Sequence, residues 1–324
     1  MAFLTPLLLE EARDLGRAFD LRLERVEALA LGSVNSNFRL VTEDGLEYFA
    51  RVYEEQPLDG ARTEVRLLTA LSASGVPVVR PLTTRDGDAV VEFRGKPFAI
   101  FPWVQGEWLC LARVEPAHCR AVGAALAGVH AASGGLQRLP DGRFRPSDLL
   151  SRLDRVEAEG PARLMPYLVQ IREKYAEYLP RRRETPLGVC HGDLFRDNVL
   201  WQKSRLAALL DFESAYHGSF AYDLMVTVLA WCYTDELVLE RASALLEGYV
   251  SVRPLSDDEL DVLEVEGALA CLRFATTRIT DFELRAGSGE RPGRDFRRFL
   301  ARLAALEAGA LVPLRSHLKV RMSP

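Results

Sequence analysis

The chain has 324 residues, and its formal net charge of −5 gives no indication of a surface that binds nucleic acid. With 48% hydrophobic and 27% charged residues, its composition is that of a globular protein with a large core and excludes a disordered chain. The five cysteines are odd in number and none lie in CxxC spacing, so we expect neither disulfides nor a zinc site. No apolar run could span a bilayer, so we expect a cytoplasmic protein without a membrane partner.

The first third of the chain predicts a helix, a hairpin, a second helix and then strands. The opening segment is amphipathic and predicts a helix. Two β-type runs, "FRLVT" and "EYFARVY", are joined by Glu43-Asp44-Gly45, and Asp-Gly between such runs indicates a hairpin. The segment "DGARTEVRLLTALSASG" predicts a second helix that ends at Gly75. Three short strands are then predicted in "VPVVRPLTT", "AVVEFRG" and "KPFAIFPWV".

From Pro116 onward the pattern is mainly helical. The segment "PAHCRAVGAALAGVHAAS" predicts a helix with proline in its first turn, and residues 147–180 predict further helix. Short strands return in "LGVC", "VLW" and "LAALL", and the chain after Asp211 is mostly helical. We therefore predict an α+β protein with a small β-rich lobe at residues 1–102 and a larger helical lobe at residues 103–324.

The segment "CHGDLFRDNVLW" is more polar than a turn requires. It places Asp193 and Asn198 between two predicted strands, and the next predicted strand ends at Asp211. Carboxylate and amide oxygens suit magnesium, and a further carboxylate can orient a hydroxyl group and accept its proton. The alternative is a polar turn followed by an unrelated aspartate, but the combined spacing favours phosphoryl transfer.

"HGDLFRDN" followed by "LLDFES" resembles the aminoglycoside phosphotransferase and choline kinase family, whose fold is protein-kinase-like and two-lobed. The resemblance implies an enzyme that uses ATP and Mg²⁺ to phosphorylate a hydroxyl group of a small molecule. By the same resemblance, Asp193 is the catalytic base, and Asn198 and Asp211 hold the metal. His191 and Asp223 are then structural residues that fix the catalytic loop.

Within that family the chain is most similar to the kinase-fold homoserine kinases. The loop "HGDLFRDNVLW" and the distal stretch from Gly248 to Phe282 carry this resemblance. It implies homoserine or a related amino-acid alcohol as the acceptor. Two alternatives stay open: an aminoglycoside or another hydroxylated metabolite as acceptor, and a nucleotide-binding protein without catalytic activity.

The predicted first lobe would then hold the nucleotide. The loop "LGSVNSNFRL" is a candidate to lie over the phosphates, although it has neither a GxGxxG nor a Walker A pattern. Where the family has a lysine on the next strand, this chain has Arg51, and the two side chains are not interchangeable; this departure keeps the non-catalytic alternative open. The predicted nucleotide-binding residues are Gly32, Ser33, Asn35, Ser36, Asn37, Arg51 and its partner Glu64, with backbone groups of Pro102, Trp103 and Val104 for the base.

Two arginines interrupt the apolar pattern of a distal helix. Arg273 and Arg278 lie in "ALACLRFATTRITDFELR", where a charge on an apolar face needs a partner. One interpretation is ion pairing with nearby acids such as Asp281 and Glu283. The other is that they bind a carboxylate of the acceptor, which would suit an amino acid better than a polycationic antibiotic.

Overall fold

The computed structural model describes residues 5–30, 34–284 and 295–314. The chain divides into two compact units, residues 1–107 with 199–213, and residues 108–198 with 214–324. Across the described residues, no helix is both long enough and apolar enough to cross a membrane.

The first unit is built on a five-stranded antiparallel sheet in the order β1-β2-β3-β5-β4. Its core lies between this sheet and helix α1, with Leu40, Ala50, Val52 and Ile100 fully buried. A separate hairpin, β7–β8, also belongs to this unit. The elements are α1 (Leu9–Ala18), β1 (Leu23–Leu29), β2 (Ser36–Thr42), β3 (Glu47–Val52), α2 (Leu58–Ala73), β4 (Val91–Phe93), β5 (Lys96–Pro102), β7 (Val199–Gln202) and β8 (Arg205–Leu209).

The predicted hairpin is confirmed, and one predicted strand is wrong. Gly45 has φ +80°, and its N–H donates to the carbonyl of Thr42, which closes the turn between β2 and β3. The segment "VPVVRPLTT" forms no strand, because two prolines lack the N–H that a ladder needs; only Val78 makes a bridge, to Leu209. Strand β1 was not predicted, since its sequence "LERVEAL" does not alternate regularly between apolar and charged residues.

The second unit is mainly helical, as the sequence predicts. Two short strands, β6 and β9, pair antiparallel and lead into and out of the polar segments of the site. Of these two strands, β9 was not predicted from the sequence. The elements are α3 (Pro116–Ala132), α4 (Pro146–Glu159), α5 (Met165–Tyr178), β6 (Leu187–Cys190), β9 (Tyr216–Ser219), α6 (Phe220–Trp231), α7 (Leu239–Val250), α8 (Asp257–Arg278) and α9 (Arg297–Glu307).

Helix α8 is the long helix that carries several residues of the site. It starts at a capping box, in which the Ser256 hydroxyl accepts from the N–H of Glu259 and the Glu259 carboxylate accepts from the N–H of Ser256. The helix is buried on nearly every face, so the charged residues within it need partners. Their partners define the site described below.

Helices α3 and α7 approach each other through two glycines. A Cβ atom added at Gly123 would lie 2.0 Å from the carbonyl oxygen of Leu245, and one added at Gly248 would lie 2.0 Å from that of Arg120. Backbone cannot move away as a flexible side chain would. The backbones of α3 and α7 can therefore approach this closely only because residues 123 and 248 carry no side chain.

We expect Gly123→Ala and Gly248→Ala each to lower the free energy of unfolding by about 1–3 kcal/mol, the usual cost of overpacking a core. In an open helix the same change would stabilise by roughly 1 kcal/mol, because alanine has the higher helix propensity. Chemical denaturation measures the effect. The control is Gly134→Ala, where an added Cβ meets nothing within 4 Å; a loss of equal size there would contradict the packing explanation.

Candidate active site

The polar segment 191–198 forms a tight loop directly after β6. The carbonyl of Asp193 accepts from the N–H of Phe195 at 2.7 Å and from the side-chain amide of Asn198 at 2.8 Å. These two bonds bend the chain back on itself, so the Asp193 side chain stays 35% exposed while its backbone is held. The Asp193 carboxylate is therefore presented from a loop whose backbone is held by hydrogen bonds.

Asp223, in the first turn of α6, holds the start of this loop. Its carboxylate is wholly buried and accepts from the backbone N–H groups of His191 and Gly192, each at 2.7 Å. His130 of α3 lies 3.0 Å from the same carboxylate through Nε2, and its Nδ1 lies 2.7 Å from the hydroxyl of Tyr249. Burial acts to raise the pKa of Asp223, but the bonds from His130 and the backbone bring that pKa below its ordinary value.

The other end of α6 holds the second half of the loop. The indole N–H of Trp231 donates to the carbonyl of Leu194 at 3.0 Å. The guanidinium of Arg196 donates to the carbonyl of Ala230 at 2.6 Å, where a helix carries partial negative charge. Arg196 is therefore engaged by the end of a helix, and α6 fixes the loop from both of its ends.

Sequence reasoning missed His130. A single histidine in an apolar helix gives no signal of its own, and its role depends on α6 and α7 coming together around it. His130, Cys190 and Asp223 place possible ligand atoms within 4.8 Å of one another. Both nitrogens of His130 already have protein partners, so this cluster serves to brace the loop and does not indicate a metal site.

The first unit brings together Arg51, Glu64 and Asp211. Nη1 of Arg51 lies 3.6 Å from Oε1 of Glu64 and 3.8 Å from Oδ1 of Asp211. Burial raises the pKa of Glu64 to about 8, although Arg51 opposes the shift. Nε of Arg51, Oε2 of Glu64 and Oδ1 of Asp211 are buried without a hydrogen-bond partner among the described residues. A bound cation and a phosphate group would supply the partners that these polar atoms lack.

Asp211 also has an unusual backbone conformation. Its φ of +62° lies in the left-handed region, which a residue other than glycine adopts at a cost and which is common at functional sites. Val199, directly after Asn198 in the chain, pairs with Leu209, two residues before Asp211. The hairpin thus fixes where Asp211 emerges from the sheet.

The other predicted nucleotide-binding residues have varied surroundings. Asn35 donates to the carboxylate of Glu213 at 2.7 Å, which ties its loop to the segment after Asp211. The hydroxyl of Ser36 is bonded to Glu54, so its side chain has a structural partner. Asn37 is buried. The N–H of Trp103 donates to the carbonyl of Glu47. Pro102 is exposed and Val104 half-buried, and Gly32 and Ser33 lie outside the described residues.

A cavity of about 690 Å³ opens within the second unit beside the 191–198 loop. Gly192 and Arg273 contribute to its wall, together with residues from α4, α5, β9 and α6. The charged side chains that line it are six arginines and three carboxylates, an excess of three positive charges in a chain whose net charge is −5. They are Arg138, Arg143, Arg145, Arg182, Arg183, Arg273, Asp141, Glu184 and Glu266.

Of the two arginines predicted to bind substrate, only Arg273 lines this cavity. Its Nη1 donates to the carbonyl of Gly192 at 3.1 Å and lies 3.4 Å from Oδ1 of Asp193. Arg278 instead donates to the carbonyl of Asp295 and packs over the ring of Phe299. The two arginines are five residues apart, which puts them on different faces of the helix.

These features define a small-molecule phosphotransferase with a protein-kinase-like α+β fold. The model of the phosphotransferase enzyme family (APH) matches residues 25–255. The chain belongs to this family, and it is an enzyme that phosphorylates an alcohol group.

The relatives and a solved structure agree with this assignment. The chain is 34% identical over 290 residues to a homoserine kinase of Nitrobacter winogradskyi, with 87% of each chain covered. It is 36% identical over 293 residues to a homoserine kinase of Pseudomonas aeruginosa, with 88% of this chain and 87% of that one covered. An amicoumacin kinase, solved with AMP-PNP and Ca²⁺, has the same fold, with a TM-score of 0.69 and 18% identity. The match covers 97% of this chain and 94% of that one.

We expect His130→Ala to lower the free energy of unfolding by about 3 kcal/mol at pH 7.5, from the cavity and the hydrogen bonds lost. Burial lowers the pKa of His130, so the unfolded chain binds a proton that the folded protein does not. In the wild type this makes stability fall as pH drops below about 6.5, by at most roughly 1.4 kcal/mol per pH unit.

The variant should therefore lose less stability than the wild type between pH 7.5 and pH 5.5. Urea denaturation at the two pH values measures the difference. A pH-dependence identical in both proteins would show that His130 is not the buried neutral group inferred here.

Proposed function

We propose that this enzyme transfers the γ-phosphoryl group of ATP to the side-chain hydroxyl of homoserine, with Mg²⁺ as the metal. The observation that carries the choice of acceptor is the cavity beside Asp193, whose lining has an excess of positive charge. The relatives that are 34% and 36% identical are homoserine kinases, and the amicoumacin kinase was solved with an ATP analogue and a divalent cation. Both support the proposal.

The charge of the cavity separates the candidate acceptors. An aminoglycoside is a polycation, and choline carries a fixed positive charge. Four of the lining arginines, Arg138, Arg145, Arg182 and Arg273, pair with acids, but Arg143 and Arg183 have no ion pair among the described residues, so the lining disfavours both cations. An amino acid with a carboxylate meets the opposite sign. The cavity is larger than a four-carbon amino acid needs, and this favours a bulkier acidic alcohol as the second candidate.

Asp193 is the proposed catalytic base. Its carboxylate is exposed from a loop that is fixed on both sides, and Arg273 contacts one of its oxygens. A base held in this way can orient the hydroxyl of the acceptor and take its proton as the phosphoryl group is transferred. His191 is buried, and its Nδ1 accepts from the N–H of Asp193 at 3.3 Å, so its proposed role is to shape the loop.

Asn198 and Asp211 are the proposed ligands of Mg²⁺. The buried Oδ1 of Asp211 accepts no hydrogen bond among the described residues, its charged neighbour being Arg51 at 3.8 Å, and both side chains offer the oxygen ligands that magnesium prefers. When bound, the metal supplies positive charge that offsets the charge of the ATP phosphates. Arg51, oriented by Glu64, is proposed to contact phosphate in place of the family's lysine, since its fork offers several donors.

We also propose that the enzyme acts in the cytoplasm. Each of the five cysteines, all of them among the described residues, is a free thiol, and four are buried. Free thiols suit a reducing compartment.

We expect ADP release that depends on L-homoserine in a coupled assay, and Asp193→Asn should lower kcat by roughly 10²- to 10⁴-fold, the usual contribution of a general base. The matched control is Asp197→Asn, because Asp197 is exposed in the same loop and should tolerate the change. Homoserine that gives no more ADP than the blank would refute the acceptor. Near-normal activity of Asp193→Asn would refute the base.

Arg273→Ala should lower kcat for homoserine by roughly 10²-fold and change the KM for ATP little, because Asp193 loses the group that orients it. Arg273→Lys should restore part of that kcat, since it keeps the charge. Arg278→Ala is the control, and steady-state kinetics should show it close to wild type, because Arg278 packs over Phe299 of α9. Equal losses at both arginines would contradict this division.

A further inference from the structure

We propose that Arg182 binds the carboxylate group of the acceptor, and that the buried carboxylate of Glu266 holds it in position to do so. This inference rests on the proposed function, in which the acceptor is an amino acid with a terminal hydroxyl. Arg182 comes shortly after α5 and Glu266 lies on α8, so a pair 84 residues apart in sequence meets at the wall of the cavity.

Arg182 and Glu266 form a two-pronged ion pair. Nε of Arg182 lies 2.8 Å from one oxygen of Glu266, and Nη2 lies 3.0 Å from the other. The side chain of Glu266 is 0% exposed, whereas that of Arg182 is 37% exposed. A buried carboxylate is unfavourable without its partner, so Glu266 constrains Arg182 to one orientation.

The pair leaves part of the guanidinium free to bind a ligand. A guanidinium has five N–H donors in one plane, and Glu266 takes one on Nε and one on Nη2. The remaining donors, on Nη1 and Nη2, have no protein acceptor among the described residues. They form a second flat edge, which matches the two oxygens of a carboxylate. The ring of Tyr222, with its centre 6.0 Å from Cζ, lies beside the guanidinium.

The other arginines of the cavity lack this combination of a fixed position and free donors. Arg273 is 5% exposed and is engaged by Gly192 and Asp193. Arg145 pairs with Asp148 on the surface, and Arg143 donates to Ser214. Among the described residues that line the cavity, Arg182 is the arginine that a fully buried acid positions while its own side chain stays exposed.

The experiment compares two acceptors that differ only in the carboxylate. L-Homoserine carries it, and 3-aminopropan-1-ol is the same molecule with hydrogen in its place. The main variant is Arg182→Met combined with Glu266→Gln, because removing the arginine alone would leave a buried charge unpaired. Arg181→Ala is the matched control, since Arg181 pairs with Glu177 and Glu264 and does not line the cavity.

We expect the double variant to lose about 10²-fold in kcat/KM for homoserine, mainly through KM, as is usual when a charge loses its partner on binding. The kcat/KM of the double variant for 3-aminopropan-1-ol should change less than about threefold, by the same reasoning. Where turnover of this compound is too slow to follow, its Ki as a competitor of homoserine is compared instead. The kcat/KM of Arg182→Lys for homoserine should lie between those of the wild type and the double variant, because lysine keeps the charge but lacks the forked geometry of the guanidinium.

Three results would overturn the inference. An unchanged KM for homoserine in the double variant would show that Arg182 does not bind the acceptor. An equal loss with both acceptors, together with a lower melting temperature, would show a purely structural pair. A wild-type enzyme that is inactive with homoserine would refute the proposed function and this inference with it, whereas the first two results leave the proposed function intact.

Discussion

The carboxylate of Asp223 makes the contact on which the geometry of the 191–198 loop depends. It accepts from two consecutive backbone N–H groups, those of His191 and Gly192, within a fully buried setting. To direct both N–H groups at one carboxylate, the chain turns sharply, and Gly192 takes a φ of +76°. Glycine suits that conformation, and a Cβ there would also lie 3.0 Å from the ring of Tyr216. The turn brings the next residue, Asp193, out of the core, so that its side chain is 35% exposed.

The loop needs this support because its own residues do not provide a core. Between β6 and β7 it has only a single 3-10 turn, so its shape is imposed by neighbours. Helix α6 supplies both anchors, Asp223 at its start and Ala230 with Trp231 at its end. A helix is a rigid spacer, and the distance between the anchors therefore fixes the span of the loop. Rigid placement of this kind suits the role proposed for Asp193, since small displacements of a catalytic group are costly.

Much of this arrangement could be predicted from the sequence, and the reasons for the failures are physical. The spacing of Asp193, Asn198 and Asp211 is a local property of one hairpin and its flanks. The loop, its flanking strands and the family could therefore be predicted from this motif. The contacts of His130, and the ion pair of Arg182 with Glu266 of α8, depend on which helix faces are turned toward these residues. Hydrophobic periodicity does not determine that for helices buried on most sides. Arg273 and Arg278 looked equivalent in the sequence, and the register of α8 alone separated them.

Helix α8 carries two arginine–carboxylate pairs of opposite design. Beside the 191–198 loop, Arg273 is buried at 5% exposure and its partner Asp193 is 35% exposed, so the pair presents a negative charge. Seven residues earlier, about 10 Å along the helix, Glu266 is buried at 0% and Arg182 is 37% exposed, so the pair presents a positive charge. Each pair is neutral overall, yet the exposed partner sets the local sign. If Asp193 and Arg182 have the roles proposed above, the two exposed partners would offer a base to the hydroxyl of the acceptor and a cation to its carboxylate.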